Sequence, residues 1–491
     1  MSPTGFAPVA DLLRPVLHVL GVLLLLLAIV MLFPAIFDYA SDEPDWRVFA
    51  ASAFATAFVG GALALGNRAD IAEITLRQGF ALTVLSWLLL PAFGALPFAF
   101  SDLDLSYTDC YFEAMSGLTT TGSTVIVGLD QAPPGILLWR ALLHGLGGLG
   151  IIVLAVAVLP MLGVGGMQLF RLESSDKSEK ALPSATAISV GIAKVYLLLV
   201  TIGTLAFWLA GMSLFEAFCH ALSALSTGGF STSDASIGHF QSAVIEWIAI
   251  VQMAIGSLPF VLLLRVAQGR SERLYRDQQV RAFFAFLAVA SLAIALWFWL
   301  AVGQGAHESL RNAVFMVVAL ASTTGFANAD YTAWGSFPIV AALFLNFVGG
   351  CTGSTAGGVK IWRYQMLHAV LRAELKRLVR RHGVGRVTFN RRPVPDAVMD
   401  AVMAFLFLYV LSVAVLAVLL MLAGLDFATA VSGSASAIGN VGPGIGPIIG
   451  PAGNFAPLPD SAKWLLSVGM LLGRLELFVV LVLFTRNFWR A

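Results

Sequence analysis

Ten apolar runs punctuate the chain, at about 12–37, 46–65, 79–100, 135–163, 185–211, 241–266, 280–302, 336–348, 396–423 and 461–488. A helix needs about 20 apolar residues to cross a bilayer. Nine of the runs are that long, and the eighth reaches it only by continuing past a glycine-rich break. Four shorter semi-apolar segments, rich in Ala, Ser and Thr, lie between runs at 108–119, 215–226, 307–322 and 427–438. These are too short to span. They are either external amphipathic loops or re-entrant half-helices, which persist at membrane depth only where protein or a water-filled cavity satisfies their backbone.

Composition sharpens this picture. Of 491 residues, 58% are hydrophobic and 12% charged, against about 25% charged in soluble domains. The mean hydropathy is +0.87. A soluble enzyme with one greasy patch is excluded, and the all-α integral-membrane class follows. The net charge of +1 argues against a basic nucleic-acid binder. Cys110, Cys219 and Cys351 form neither a paired framework nor a CxxC site, and the seven histidines have no HxxxH or HExxH spacing. The first run is too long for a signal-peptide core and is expected to be a retained span.

Charge also orients the spans. The loops at 38–47, 100–139, 212–241, 303–338 and 424–463 hold 15 Asp/Glu but only three basic residues, Arg47, Arg311 and Lys463. Those at 66–77, 171–180, 265–281 and 360–400 hold 20 Lys/Arg. The positive-inside rule places the second group in the cytoplasm, with both termini, and all four short segments outside.

The short segments are similar to one another. Ala114-Met115-Ser116-Gly117-Leu118-Thr119-Thr120-Thr121-Gly122 overlays Ala221-Leu222-Ser223-Ala224-Leu225-Ser226-Thr227-Gly228-Gly229 at a displacement of 107 residues. The third ends Ser322-Thr323-Thr324-Gly325-Phe326, and the fourth is degenerate, Asn440-Val441-Gly442. The repeating unit is span, short helix, Gly loop, span. The expected organisation is a two-span extension at 1–66, then units at 67–170, 171–270, 271–392 and 393–491. The third unit carries the glycine-rich break and a cytoplasmic helix.

Four such units can surround one axis. Glycine permits backbone conformations that other residues resist, and rings of carbonyls can replace the hydration shell of a potassium ion. The short helices would turn their negative C-terminal ends toward the axis, favouring a cation. Acidic residues around the first loop, among them Asp102, Asp104, Asp109, Glu113 and Asp130, would concentrate cations there. The competing explanation is that Thr, Ser and Gly only let helices pack closely. That does not require four phased copies on one side of the membrane.

Thr119-Thr120-Thr121-Gly122-Ser123-Thr124, Ser226-Thr227-Gly228-Gly229-Phe230, Ser322-Thr323-Thr324-Gly325-Phe326 and Asn440-Val441-Gly442-Pro443-Gly444 resemble the four filter loops of the Trk/Ktr/HKT potassium transporter superfamily. The resemblance covers about residues 70–490, and the extra N-terminal spans look like the TrkH/TrkG branch. It implies potassium uptake across a bacterial inner membrane, with the ion as substrate and no covalent cofactor. It also implies a homodimeric membrane subunit with a separate cytosolic nucleotide-binding subunit of TrkA type. The filter glycines carry over to Gly122, Gly229, Gly325 and Gly442. Thr120, Thr121, Thr227, Gly228, Thr323, Thr324, Asn440 and Val441 complete the expected ion-binding set. The fourth loop departs most from Thr-x-Gly and is expected to be the least regular.

Five glycines between Gly349 and Gly358, with Ser354 and Thr355, interrupt the eighth run. The stretch lacks the GxxxxGK[ST] phosphate-loop pattern. It resembles the superfamily's intramembrane gating loop, with Gly349, Gly350, Gly353, Gly357 and Gly358 as its glycines. Arg474 lies about 13 residues into the last run, some 20 Å at 1.5 Å per residue. A charge at that depth is a functional residue by default, and it matches the superfamily's pore arginine. An ion pair of Arg474 with Glu476 is the structural alternative, although i and i+2 residues do not share a helix face. Gly145-Leu146-Gly147-Gly148-Leu149-Gly150 fits GxGxxG but sits in an apolar run, so helix packing is expected. Lys194 and Glu246 are expected to snorkel or pair, and His220 to make a polar contact. The nine basic residues from Arg363 to Arg392 suggest a dock for a cytosolic subunit, or ordinary positive-inside charge. A sodium-permeable or ion-coupled symporter of the same fold is the alternative within transport. A membrane enzyme would need converging His, Asp or Glu, and only isolated ones, such as His144, Glu246 and Glu476, are visible. A scaffold would not need the four loops.

Overall fold

The computed structural model describes residues 9–68, 75–157, 185–379, 387–390 and 392–489. Among the described residues, seven helices are long and apolar enough to cross a membrane: Leu13–Ala40, Trp46–Gly66, Leu76–Phe100, Pro134–Ala155, Thr186–Leu209, Gln278–Val302 and Asp396–Leu422. Two bent pairs raise the number to nine. Their outward faces are apolar and uncovered, with Phe54, Phe58, Leu209 and Leu422 each about 70–80% exposed (74, 69, 79 and 79%). Such surface belongs in lipid, where no water is needed to hydrate it. The chain is a multi-pass, predominantly helical membrane protein.

Two runs expected to be continuous are bent. The 241–266 run divides into Ala243–Gly256 and Phe260–Ala267, at 103° to each other. Pro259 has no N–H to continue the first helix. The 461–488 run divides into Asp460–Arg474 and Phe478–Phe484, at 105°. Arg474 is therefore the last residue of a helix rather than a position within a straight one. Glu476 and Leu477 both adopt left-handed backbone there (φ 57° and 56°). The eighth run is the ten-residue helix Ser336–Leu345, followed by the glycine-rich loop and the helix Ile361–Val379. The loop closes on itself through a parallel pairing of Val348 with Val359 and Gly349 with Lys360.

The four short segments are helices: Tyr107–Leu118, Leu214–Leu225, Ala306–Ala321 and Phe427–Gly439. The first two start at capping boxes, Ser106 with Asp109 and Ser213 with Glu216, and Asp426 caps the fourth. A side-chain oxygen at this position satisfies an orphan N–H of the first turn. Beyond their first turns these helices are almost wholly buried. The long helices wrap around them, so each short helix delivers its C-terminal loop to the interior.

Candidate functional site

Each short helix ends in the same way. The residue after the helix, or one further on, takes a left-handed conformation, at Thr120 (φ 51°), Thr227 (52°), Thr323 (58°) and Asn440 (53°). Two residues later a glycine does so: Gly122 (85°), Gly229 (87°), Gly325 (77°) and Gly442 (104°). An N–H one residue beyond the first bend reaches back into each helix. Thr121 donates to Ser116, Gly228 to Ser223, Thr324 to Ala319 and Val441 to Ser436, at 2.8–3.0 Å. These bonds satisfy carbonyls that a helix end otherwise leaves open. The fourth loop has lost the Thr-x-Gly sequence yet keeps this backbone. Its expected irregularity is confined to side chains, because Asn tolerates the left-handed region that the bend demands.

The loops meet in cyclic order. A Cβ on Gly122 would overlap the carbonyl of Gly228, one on Gly229 that of Thr324, and one on Gly325 that of Val441. A Cβ on Gly442 would lie 2.7 Å from the carbonyl of Thr121. Loop one thus faces loop two, two faces three, three faces four, and four returns to one. Ser123 Oγ donates to the Gly442 carbonyl (3.0 Å) and Asn440 Nδ2 to Thr121 Oγ1 (3.1 Å), closing the circuit between the chain's most distant loops. A cavity of about 270 Å³ opens above them, lined by Gly122, Gly229, Gly325 and Gly442 together with Thr124, Arg140, Asp234 and Asn454.

The glycine-rich loop lies against the other side. Thr355 Oγ1 donates to the carbonyls of Leu225 (2.9 Å) and Gly256 (2.8 Å), and Gly357 N–H donates to Thr323 Oγ1 (2.7 Å). A Cβ on Gly357 would clash with Gly439. The break in the neighbouring bent span supplies the remaining partners. Cys351 N–H donates to Ser257, Thr355 N–H to Gly256, and Phe260 N–H to Gly353. Backbone groups freed by two interrupted helices satisfy each other, as a buried interior requires. Cys351 is buried and packs here.

Arg474 binds this loop directly. It donates through Nη1 to the Thr355 carbonyl (2.8 Å) and through Nη2 to the Gly147 carbonyl (3.2 Å). Glu476 pairs instead with Arg363 (2.6 Å), so the alternative Arg474–Glu476 pair is not formed. Lys360 Nζ donates to the Ala356 carbonyl. A cavity of only about 30 Å³ lies beside these groups, bordered by Thr352, Ser354, Lys360, Arg474 and Glu476. That space holds about two water molecules at most.

Several sequence expectations need adjusting. Glu113 is fully buried against Arg140, and Asp109 pairs with Lys463 (2.5 Å), so neither lends free negative charge to the cavity at the four loops. Asp234 does line the cavity. Arg363 is buried and pairs with the half-buried Glu476, so it does not belong to a basic dock. On the helix Ile361–Val379, Arg372 and Lys376 are exposed, whereas Arg380, Arg381, Arg386 and Arg391 lie outside the described residues. Glu246 pairs with Arg311 (3.2 Å), and His220 bonds the Glu216 carbonyl (2.8 Å) and Ser231 Oγ (2.9 Å). Gly147 and Gly148 let their helix approach Leu118 and Ser226, so the GxGxxG stretch is a packing surface. Arg140 was not singled out by the sequence. Its signal was an arginine seven residues into an apolar helix that follows an acidic short segment.

A multi-pass helical membrane protein in which four short helices bring glycine loops together above a second, glycine-rich intramembrane loop is the class these features define. The chain belongs to the TrkH cation transport protein family, whose model matches residues 45–490. It is 45% identical to the Trk system potassium uptake protein TrkI of Halomonas elongata over 98% of this chain and 99% of that one. It is 39% identical to TrkH of Escherichia coli, over 97% and 99% respectively. The crystal structure of the potassium transporter TrkH from Vibrio parahaemolyticus superposes with a TM-score of 0.90 at 36% identity, covering 97% of this chain and 99% of that one.

Proposed function

We propose that this chain takes up potassium ions through the constriction where its four loops meet. The cyclic meeting of those loops carries the proposal. Four left-handed bends at equivalent places, three of them on β-branched threonines, are strained backbone that only the surrounding structure holds in place. Such strain is understandable if it aims carbonyls at an ion. Thr120, Thr121 and Gly122 would form the filter with Thr227, Gly228 and Gly229, Thr323, Thr324 and Gly325, and Asn440, Val441 and Gly442. Potassium would exchange water for their backbone oxygens. The architecture is then four pseudo-repeats (67–170, 171–270, 271–392 and 393–491) around one pore, preceded by the two-span extension at 1–66.

The loop Gly349–Gly358, with Gly350, Gly353, Ser354, Thr355 and Gly357, is the gate in this proposal, and Arg474 holds it shut. The small cavity beside Arg474 supports a closed path. The relatives' names as Trk system potassium uptake proteins support potassium as the substrate. They also support a place in a Trk assembly, here a homodimer with a cytosolic TrkA-type nucleotide-binding subunit, in a bacterial inner membrane with both termini cytoplasmic. Tracer rubidium and potassium flux into proteoliposomes tests the proposal. Uptake driven by membrane potential alone is expected. Uptake that demands a proton or sodium gradient would favour the coupled symporter, and absence of potassium flux would reject the function.

A further inference from the structure

The four loops meet alike but are braced unlike. Behind the first loop, the Glu113 carboxylate accepts from Arg140 Nε (2.8 Å), Val125 N–H (2.9 Å) and Thr124 Oγ1 (3.0 and 3.1 Å). Arg140 then reaches across to the second loop and donates to the Ser231 carbonyl (2.7 Å). Its guanidinium lies 4.1 Å from the Phe230 ring centroid, and His144, one turn along the same helix, stacks on that ring at 4.2 Å. The ion pair is 0% and 1% exposed. Thr124 and Ser231 each stand two residues beyond a loop glycine, so one buried pair grips the outer ends of two neighbouring loops.

The equivalent places elsewhere are different. Nine residues before each loop glycine stand Glu113, His220, Met316 and Gly433, and two residues after it Thr124, Ser231, Ala327 and Gly444. The second loop replaces carboxylate and hydroxyl by imidazole and hydroxyl, joined at 2.9 Å. The third and fourth place no polar side chain at either position. Among the described residues, an ion pair at these two equivalent positions occurs at the first loop alone; the third loop is held instead by Glu246, which pairs with Arg311 (3.2 Å) and accepts from Asn328 Nδ2 (2.9 Å).

We propose that Glu113 and Arg140 are a positioning pair for ion selectivity, setting the separation of the first and second loops. This rests on the filter proposed above. A carbonyl ring discriminates through the spacing and number of its oxygens. If the loops close inward they favour a smaller, more tightly hydrated ion. A guanidinium–carboxylate pair is directional, and in a buried site its pull is little screened. Arg140 also borders the outer cavity. Unpaired, it would oppose an entering cation, and the Glu113 charge cancels that field.

The experiment compares rubidium and sodium uptake by full-length protein in proteoliposomes. Glu113→Gln keeps the side-chain shape without charge, and Arg140→Lys keeps charge without the fork. Gly122→Ser is the filter reference. Each brace variant is expected to lower the rubidium-to-sodium ratio by roughly fivefold or more, whatever its total flux. The two changes combined should exceed neither alone by much, as members of one coupled unit do. A parental ratio in both brace variants, with a lowered ratio in Gly122→Ser, overturns the positioning role and leaves the filter standing. A parental ratio in all three overturns the filter as well. Should Glu113→Gln fail to insert, Arg140→Lys decides alone.

Discussion

At the scale of single residues, the four loop glycines are not equivalent. Each has φ between 77° and 104°, where an L-residue is strained by about 1–2 kcal/mol. A Cβ at Gly122 would also lie 2.1 Å from the Gly228 carbonyl oxygen, a more severe clash than the 2.7 Å approach to the Thr121 carbonyl oxygen at Gly442. Gly122→Ser should therefore reduce rubidium-over-sodium preference more than Gly442→Ser, measured as tracer uptake in a potassium-uptake-deficient host. Equal effects would mean the loops respond as one ring, and no effect at Gly122 would count against the filter. The glycines and threonines were legible because a backbone demand leaves a compositional trace in each loop. Arg140 was not, because a lone arginine near a helix start looks like an interfacial anchor until its partner Glu113 is seen on another helix.

At the scale of elements, the short helices were legible to within a residue or so, since length and Ala/Ser/Thr content mark all four. The two bends were not. The runs 241–266 and 461–488 are long and mainly apolar; Pro259 is the one sequence signal of a break, and the rest of the cause lies in what packs against each. Gly256 and Ser257 give their carbonyls to the glycine-rich loop, and Gly473 presses on Ile438. Arg474 donates to Thr355 within that loop, so in the proposed gate the two would act as one obstruction. Removing Gly353–Ala356 should raise flux, and so should Arg474→Ala. The double change should be less than additive, because the deletion already removes the arginine's partner. Single-channel or tracer-flux comparison of the four proteins checks this. Loss of flux in a well-expressed deletion would make the loop a structural break only. Arg363→Ala offers a second check. It frees Glu476, and with it the Glu476–Leu477 bend, so flux should rise. Unchanged flux would separate that pair from the gate.

At the scale of the molecule, charge asymmetry between loops predicts orientation, and the same asymmetry points to a cytosolic partner. Changing Lys376, Arg377, Arg380 and Arg381 together to Ala should abolish most co-purification of a TrkA-type subunit while membrane insertion persists. Retained binding with normally regulated flux would leave those charges to topology. The mutual pairing of the two interrupted spans has a further consequence. If the glycine-rich loop is the gate and withdraws, the carbonyls of Gly256 and Ser257 and the N–H of Phe260 would lose their partners together, in a region where a bare polar group costs about 1–3 kcal/mol. Water would take those places. Opening would then be a wetting transition, with an equilibrium set by the chemical potential of water: osmolytes kept out of the pore should hold it shut, and dilution should favour conduction.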